Sequence, residues 1–116
     1  MTLKFEEIVV DCRDFRTLGQ WWAAALGWSV LYENEGELEI QNPDGSHPTL
    51  LFLNVPESKT IKNRLHFDFV PDNQADEVAR LLAMGAQRGD IGQGEQPWVV
   101  MTDPEGNEFC VLSARD

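Results

Sequence analysis

The chain has 116 residues, and 42% of them are apolar, so one domain can bury a core without a metal or a disulfide to hold it folded. Nine basic against 20 acidic residues give a formal net charge of −11. This repels nucleic acid and anionic membranes at long range, and the one basic cluster, Lys59, Lys62 and Arg64, is too short to override it.

Phe5 to Asp11 reads as a strand with β-branched residues at its centre. Asp14 reads as a helix N-cap, followed by Phe15, Leu18, Trp22 and Ala25/Leu26 at helical spacing, with Gly27 as the stop. Trp28 to Tyr32 and Glu37 to Gln41 are strands, the second alternating Leu38 and Ile40 with polar neighbours. Asn42-Pro43-Asp44-Gly45 is turn chemistry, and Thr49 to Val55 is a further strand. Residues 56–63 are polar and aperiodic and read as a linker. The pattern then restarts. Arg64 to Val70 alternates as a strand, and Asp72 or Asn73 caps a helix. The stripe of that helix is Ala75, Val78, Ala79, Leu82 and Ala83, stopped by Gly85. Ala86 to Asp90 is a short strand and Ile91 to Gln96 a loop. Trp98 to Thr102 is a strand, Asp103-Pro104-Glu105-Gly106 a turn, and Glu108 to Leu112 the last strand. No run of about 18 apolar residues could span a membrane. The N-terminus lacks the pattern of a secretory signal, and Cys12 and Cys110 make no disulfide framework. A reduced, cytoplasmic setting is expected.

The two halves share one order: strand, helix ending in Leu26-Gly27 or Met84-Gly85, short strand, longer strand, Pro-acid-Gly turn, strand. This is an internal duplication of a βαβββ unit, with module 1 at about residues 3–55, the linker at 56–63 and module 2 at about 64–113. Neither half closes a core alone, so two curved sheets are expected to face each other across a cleft, one helix outside each.

The residues Ile8-Val9-Val10-Asp11 leading to Asp14, the helix end Trp21-Trp22-Ala23-Ala24-Ala25-Leu26-Gly27-Trp28 and the hairpin Asp103-Pro104-Glu105-Gly106-Asn107-Glu108-Phe109 carry a resemblance. Over essentially its whole length the chain resembles the glyoxalase/bleomycin resistance protein/dioxygenase (vicinal oxygen chelate) superfamily. The segment from Val55-Pro56-Glu57 to Lys62-Asn63-Arg64-Leu65-His66 is similar to a bacterial glyoxalase-like subgroup. The resemblance implies a single α+β domain over residues 1–116, in which two βαβββ modules form a curved mixed sheet around a cleft with the helices outside. It also implies a small-molecule ligand and a homodimer. In the metal-dependent branches four strand positions supply ligands. Carried over, they fall on Glu7, a residue near Phe52, His66 and Cys110.

Strand parity bears on the same residues. Ile8 and Val10 share the face towards the helix, which leaves Glu7, Val9 and Asp11 on the other. Leu65, Phe67 and Phe69 form an apolar face and leave His66 and Asp68 opposite. Phe109 and Val111 pair with the helix and leave Glu108, Cys110 and Leu112 opposite. Glu7, Asp11, His66, Asp68, Glu108 and Cys110 are thus expected to converge.

Each residue has a plainer reading too. His66 could be a strand histidine satisfied by a carboxylate, Glu7 simply solvated, and Cys110 a small buried hydrophobe. A catalytic Cys110 thiolate would need a lowered pKa. Cys12 is expected to pack inertly under the first helix and His47 to be exposed. One ring of Trp21-Trp22 lies on the apolar stripe and the other at its flank. Trp98 and Phe52 would floor an apolar ligand pocket or belong to the core.

Three functions follow. The first is a metal-free small-molecule-binding protein, with Glu7, Phe52, His66, Asp68, Trp98 and Cys110 against the ligand and no cofactor. The second is a lyase, isomerase or dioxygenase that holds zinc, nickel, iron or manganese on Glu7, His66 and Cys110, with His66 and Glu7 as catalytic acid/base groups. The third is an accessory module that only associates. The first ranks highest, and whether the chain is an enzyme stays open.

Overall fold

The computed structural model describes residues 2–89 and 97–114. Its elements are β1 (Glu7–Cys12), α1 (Phe15–Leu26), β2 (Ser29–Glu33), β3 (Glu37–Gln41), β4 (Thr49–Asn54), β5 (Phe67–Phe69), α2 (Gln74–Ala83), β6 (Gln87–Arg88), β7 (Val99–Thr102) and β8 (Glu108–Val111). They fall into two compact units, Met1–Ser58 and Lys59–Asp116. Among the described residues each unit has one helix and one four-stranded sheet, ordered β1-β4-β3-β2 in the first and β5-β8-β7-β6 in the second. In both, the first strand runs parallel to the last and the other pairs are antiparallel. This is the α+β duplication that the sequence predicts. Among the described residues no helix is long and apolar enough to cross a membrane.

In the first unit the Asp14 carboxylate accepts from the Thr17 N–H (3.1 Å) and hydroxyl (2.8 Å), which starts α1 and holds the Asp14 pKa below its ordinary value. Gly27, at φ 67°, ends the helix in the left-handed region that disfavours a side chain. The Phe15 N–H donates to Asn54 Oδ1 at 2.7 Å, tying the helix start to the end of β4. Phe15, Leu18, Gly19, Trp22 and Ala23 are the buried stripe of α1. The helix lies on β3 and β4, whose Leu38, Ile40, Leu50 and Phe52 are buried. Burying one such side chain contributes about 1.5–3 kcal/mol. The approach is closest at Gly19, where an added Cβ would stand 2.7 Å from Leu38 Cδ2 and 3.3 Å from Phe52 Cδ2. Trp22 is buried in the stripe, and half-buried Trp21 meets it edge-on at 5.0 Å. Cys12 is buried with its Sγ 3.3 Å from the Leu53 carbonyl oxygen, which accepts from it.

In the second unit Asn73 is the cap, its side chain accepting from the Asp76 N–H. The stripe of α2 differs from the expected one: Val78 and Leu81 are buried, whereas Leu82 is 38% exposed and Ala75, Ala79 and Ala83 are exposed. Gln74 sets this rotation. Its Nε2 donates to the carbonyl oxygens of Val111 (3.1 Å) and Pro97 (2.8 Å), and Val78 and Leu81 follow on the same side at i+4 and i+7. Strand β5 is also shorter than the expected run from Arg64 to Val70. Phe67 pairs with Phe109, and β8 begins only one residue earlier, so Arg64 and Leu65 have no strand to pair with. Leu65, expected on the apolar face, is accordingly 88% exposed. The short strand read at Ala86 to Asp90 is Gln87–Arg88, while Asp90 and the loop Ile91 to Gln96 lie outside the described residues.

The segment 59–63 is fastened rather than free. Lys59 Nζ lies 2.5 Å from Glu108 Oε2, and the Asn63 N–H donates to Glu108 Oε1 at 2.6 Å. Asn63 Nδ2 donates to Asn107 Oδ1 at 3.1 Å. These bonds lay the segment on the β7–β8 hairpin, whose turn is held by buried Asp103, which accepts from the Glu105 and Asn107 N–H groups.

Candidate functional site

Strand alternation puts residues two apart on one face, so His66, just before β5, and Asp68, within it, point the same way. Parallel pairing sets Cys110 of β8 directly across from Asp68. One ligand atom from each of His66, Asp68 and Cys110 lies within 4.8 Å of the others. His66 Nε2 is 3.5 Å from Asp68 Oδ1, and both side chains reach solvent, whereas Cys110 is buried. Burial first, and then the Asp68 charge and its hydrogen bond with the thiol, push the Cys110 pKa up to about 11. The thiol is therefore protonated at neutral pH, and the environment opposes a catalytic thiolate. Lys62 lends a weaker opposing positive charge.

Glu108, expected to join this group, is instead held by Lys59 and Asn63 and belongs to the hairpin clamp. Trp98 is half-buried just before β7. His47 is exposed, with Nδ1 3.1 Å from the Glu6 carbonyl oxygen.

In the first unit the face of the sheet turned away from α1 carries half-buried Glu7 and exposed Asp11 on β1. It also carries Glu37 and Glu39 on β3, which the sequence reading did not single out. Their alternation with buried Leu38 and Ile40 was the available signal. Glu39 Oε2 accepts from the hydroxyl of fully buried Thr49 at 2.6 Å. Phe52 departs from the expectation that it faces a ligand. It is 0% exposed and packs under α1 beside Gly19, so it is core and does not line a ligand surface. On the opposite face of β4, Leu51 and Leu53 beside Phe52 offer no donor atom, and the fully buried Thr49 hydroxyl is bonded to Glu39. The four-position metal set implied by the resemblance therefore does not fit this chain, because its β4 position is empty of ligands. The three-donor group includes Asp68 where Glu7 was expected, and Glu7 stands on β1 of the first unit.

A family model described as a glyoxalase-like domain matches residues 7–112. Among solved structures, the chain is similar to a glyoxalase/bleomycin resistance protein/dioxygenase family enzyme of Burkholderia phytofirmans. The two are 16% identical over 95% of this chain and 98% of that one, with a TM-score of 0.71. It is also similar to the fosfomycin resistance protein FosX of Mesorhizobium loti (14% identity, 97% and 92% covered, TM-score 0.70). A third is the trypanothione-dependent glyoxalase I of Leishmania major (13% identity, 97% and 87% covered, TM-score 0.71). At these identities the likeness carries the fold. No curated protein matches the chain in sequence.

Proposed function

The chain belongs to the glyoxalase-like domain family, and from that premise we propose that it binds a small organic molecule through the His66–Asp68 pair, without the four-ligand metal centre of the metal-dependent branches. The observation that carries this reading is the pair itself. An imidazole and a carboxylate stand 3.5 Å apart, both open to solvent, beside a buried, protonated thiol. His66 offers a ring nitrogen to a ligand carbonyl or hydroxyl, and Asp68 accepts from a hydroxyl or amine. If the bound molecule also reacts, His66 is the acid/base group in reach and Asp68 orients its ring.

The test is a thermal-shift screen of the full chain, stripped of metal, against polar organic molecules. A stabilising compound is expected whose effect disappears in His66→Ala and in Asp68→Asn, while the unliganded melting temperature of both variants stays close to wild type, since both groups are exposed. Stabilisation that survives both substitutions would move the ligand elsewhere and overturn the assignment.

A further inference from the structure

Two exposed surfaces of this chain are opposite in charge, and each carries large apolar groups. The first is Ile61-Lys62-Asn63-Arg64-Leu65, in which two apolar side chains flank two cations. Ile61 is 77% exposed and Leu65 88%. Among the described residues neither Lys62 nor Arg64 is ion-paired with a carboxylate. The bonds of Lys59 and Asn63 to the β7–β8 hairpin hold this segment in place. The second surface is the β2–β3 edge. Strand β2 is the outer strand of its sheet and exposed throughout, with Leu31 51% and Tyr32 50% open to solvent. Beside them in sequence stand Glu35 and Glu37, whose carboxylates have no ion-pair partner among the described residues. This edge is also fixed. Arg16 donates to Glu33 and to the Asn34 carbonyl oxygen, Asn34 Nδ2 donates to the Tyr32 hydroxyl, and Asn34 Oδ1 accepts from the Gly36 and Glu37 N–H groups.

We infer that residues 61–65 of one copy dock on the β2–β3 edge of a second copy of this chain. Two copies, each with a formal charge of −11, repel at long range. Approach is favoured only where a local positive surface meets an acidic one, and this sets Lys62 and Arg64 against Glu35 and Glu37. Exposed ion pairs add little affinity of their own. Here they offset the repulsion and set the orientation, while burial of Ile61 and Leu65 against Leu31 and Tyr32 supplies the attraction. Because hydrogen bonds within each copy already hold both surfaces, little chain freedom is lost on contact. The contact is one of side chains and not a continued sheet. Val30 pairs with Ile40 and Tyr32 with Glu39, so Leu31 is an extra residue, and this bulge interrupts the outer edge of β2 as a template for another strand. What is assigned is the pair of surfaces, not pairing as such. Neither surface includes His66 or Asp68, so the inference is independent of the ligand-binding reading.

The experiment is sedimentation velocity of the full chain over a concentration series, at low and at high salt. It compares wild type with two charge-reversed variants, Lys62→Glu/Arg64→Glu and Glu35→Lys/Glu37→Lys. Wild type is expected to associate, and its association to weaken by about tenfold or more as salt rises and screens the charges. Each reversed variant alone sediments as a monomer. An equimolar mixture of the two associates again, because every reversed surface then meets its opposite. Leu65→Ser weakens association but leaves its salt dependence. A monomer at every concentration, association that either reversed variant retains undiminished, or a mixture no more associated than the variants apart would overturn the inference. Lys62, Arg64 and Glu35 are exposed and Glu37 half-buried, so the variants are checked for wild-type melting by circular dichroism. Should Glu35→Lys/Glu37→Lys not fold, Glu35→Lys mixed with Lys62→Glu decides it by the same outcomes.

Discussion

At the scale of single residues, Glu108 shows how a side chain read as part of a site can be taken by the architecture. Burial pushes its carboxyl up, but the bonds from Lys59 and the Asn63 N–H outweigh that, and its pKa ends below the ordinary value. A carboxyl whose folded pKa is lower than its unfolded one contributes stability that is fully present above the unfolded value. That stability is lost as pH falls through the folded one. The clamp should therefore weaken as pH drops below the ordinary carboxyl value of 4.5. Glu108→Gln should lower stability at neutral pH by about 1–3 kcal/mol and flatten the acid limb of the stability–pH curve, read by urea unfolding at a series of pH values. A parallel, merely displaced acid limb would mean that Glu108 is not the group responsible. The sequence could place Glu108 on the same face as Cys110. The fastening of Lys59 and Asn63 onto it depends on where an aperiodic segment folds back, and no spacing rule carries that.

Among the elements, α1 makes the sharper case. A glycine in mid-helix normally costs up to about 1 kcal/mol against alanine. Gly19→Ala should nonetheless destabilise the protein, by about 1 kcal/mol or more, because the new methyl enters the space of Leu38 and Phe52, both fully buried. Thermal unfolding of Gly19→Ala checks this, and a raised melting temperature would show that α1 can shift off the sheet without penalty. The same closeness decides between the two readings of Phe52, pocket floor or core, in favour of the core. The alternation of β4 was visible, but Thr49 to Leu53 offers apolar residues at nearly every position, so parity alone did not say which set faces the helix. Helix α1 was legible because its cap, its large apolar side chains and its stop agree. Helix α2 was legible in extent only. Alanines blur its stripe, and the choice between Leu81 and Leu82 falls to the Gln74 contact with the Val111 and Pro97 carbonyls, a tertiary interaction.

Across the whole chain, the duplication could be read from sequence because turn chemistry repeats. Asn42 and Asp103 each open a tight turn whose fourth residue, Gly45 or Gly106, returns its N–H to the opening carbonyl. The site was half legible for a related reason. His66 and Asp68 are linked by strand period, but placing Cys110 against Asp68 needs the register of β5 on β8, which forms only when the ends of the second unit meet.

That pairing of first strand with last has a mechanical side. A parallel pair whose chain enters at one end and leaves at the other is loaded in shear when the termini are pulled, so all its hydrogen bonds resist together. Among the described residues the first unit is closed by six register pairs, from Glu7↔Thr49 to Cys12↔Asn54, and the second by three, from Phe67↔Phe109 to Phe69↔Val111. Stretching the full chain in an optical trap should give two ruptures of unequal force, with the weaker one belonging to residues 59–116 and lowered further by Glu108→Gln. If that substitution lowered the stronger rupture instead, the length of the closing strand pair would not be what sets resistance. The unit carrying His66, Asp68 and Cys110 is thus the one that tension would open first, and a pull on the chain would disperse those three side chains while the sheet of β1 to β4 still held.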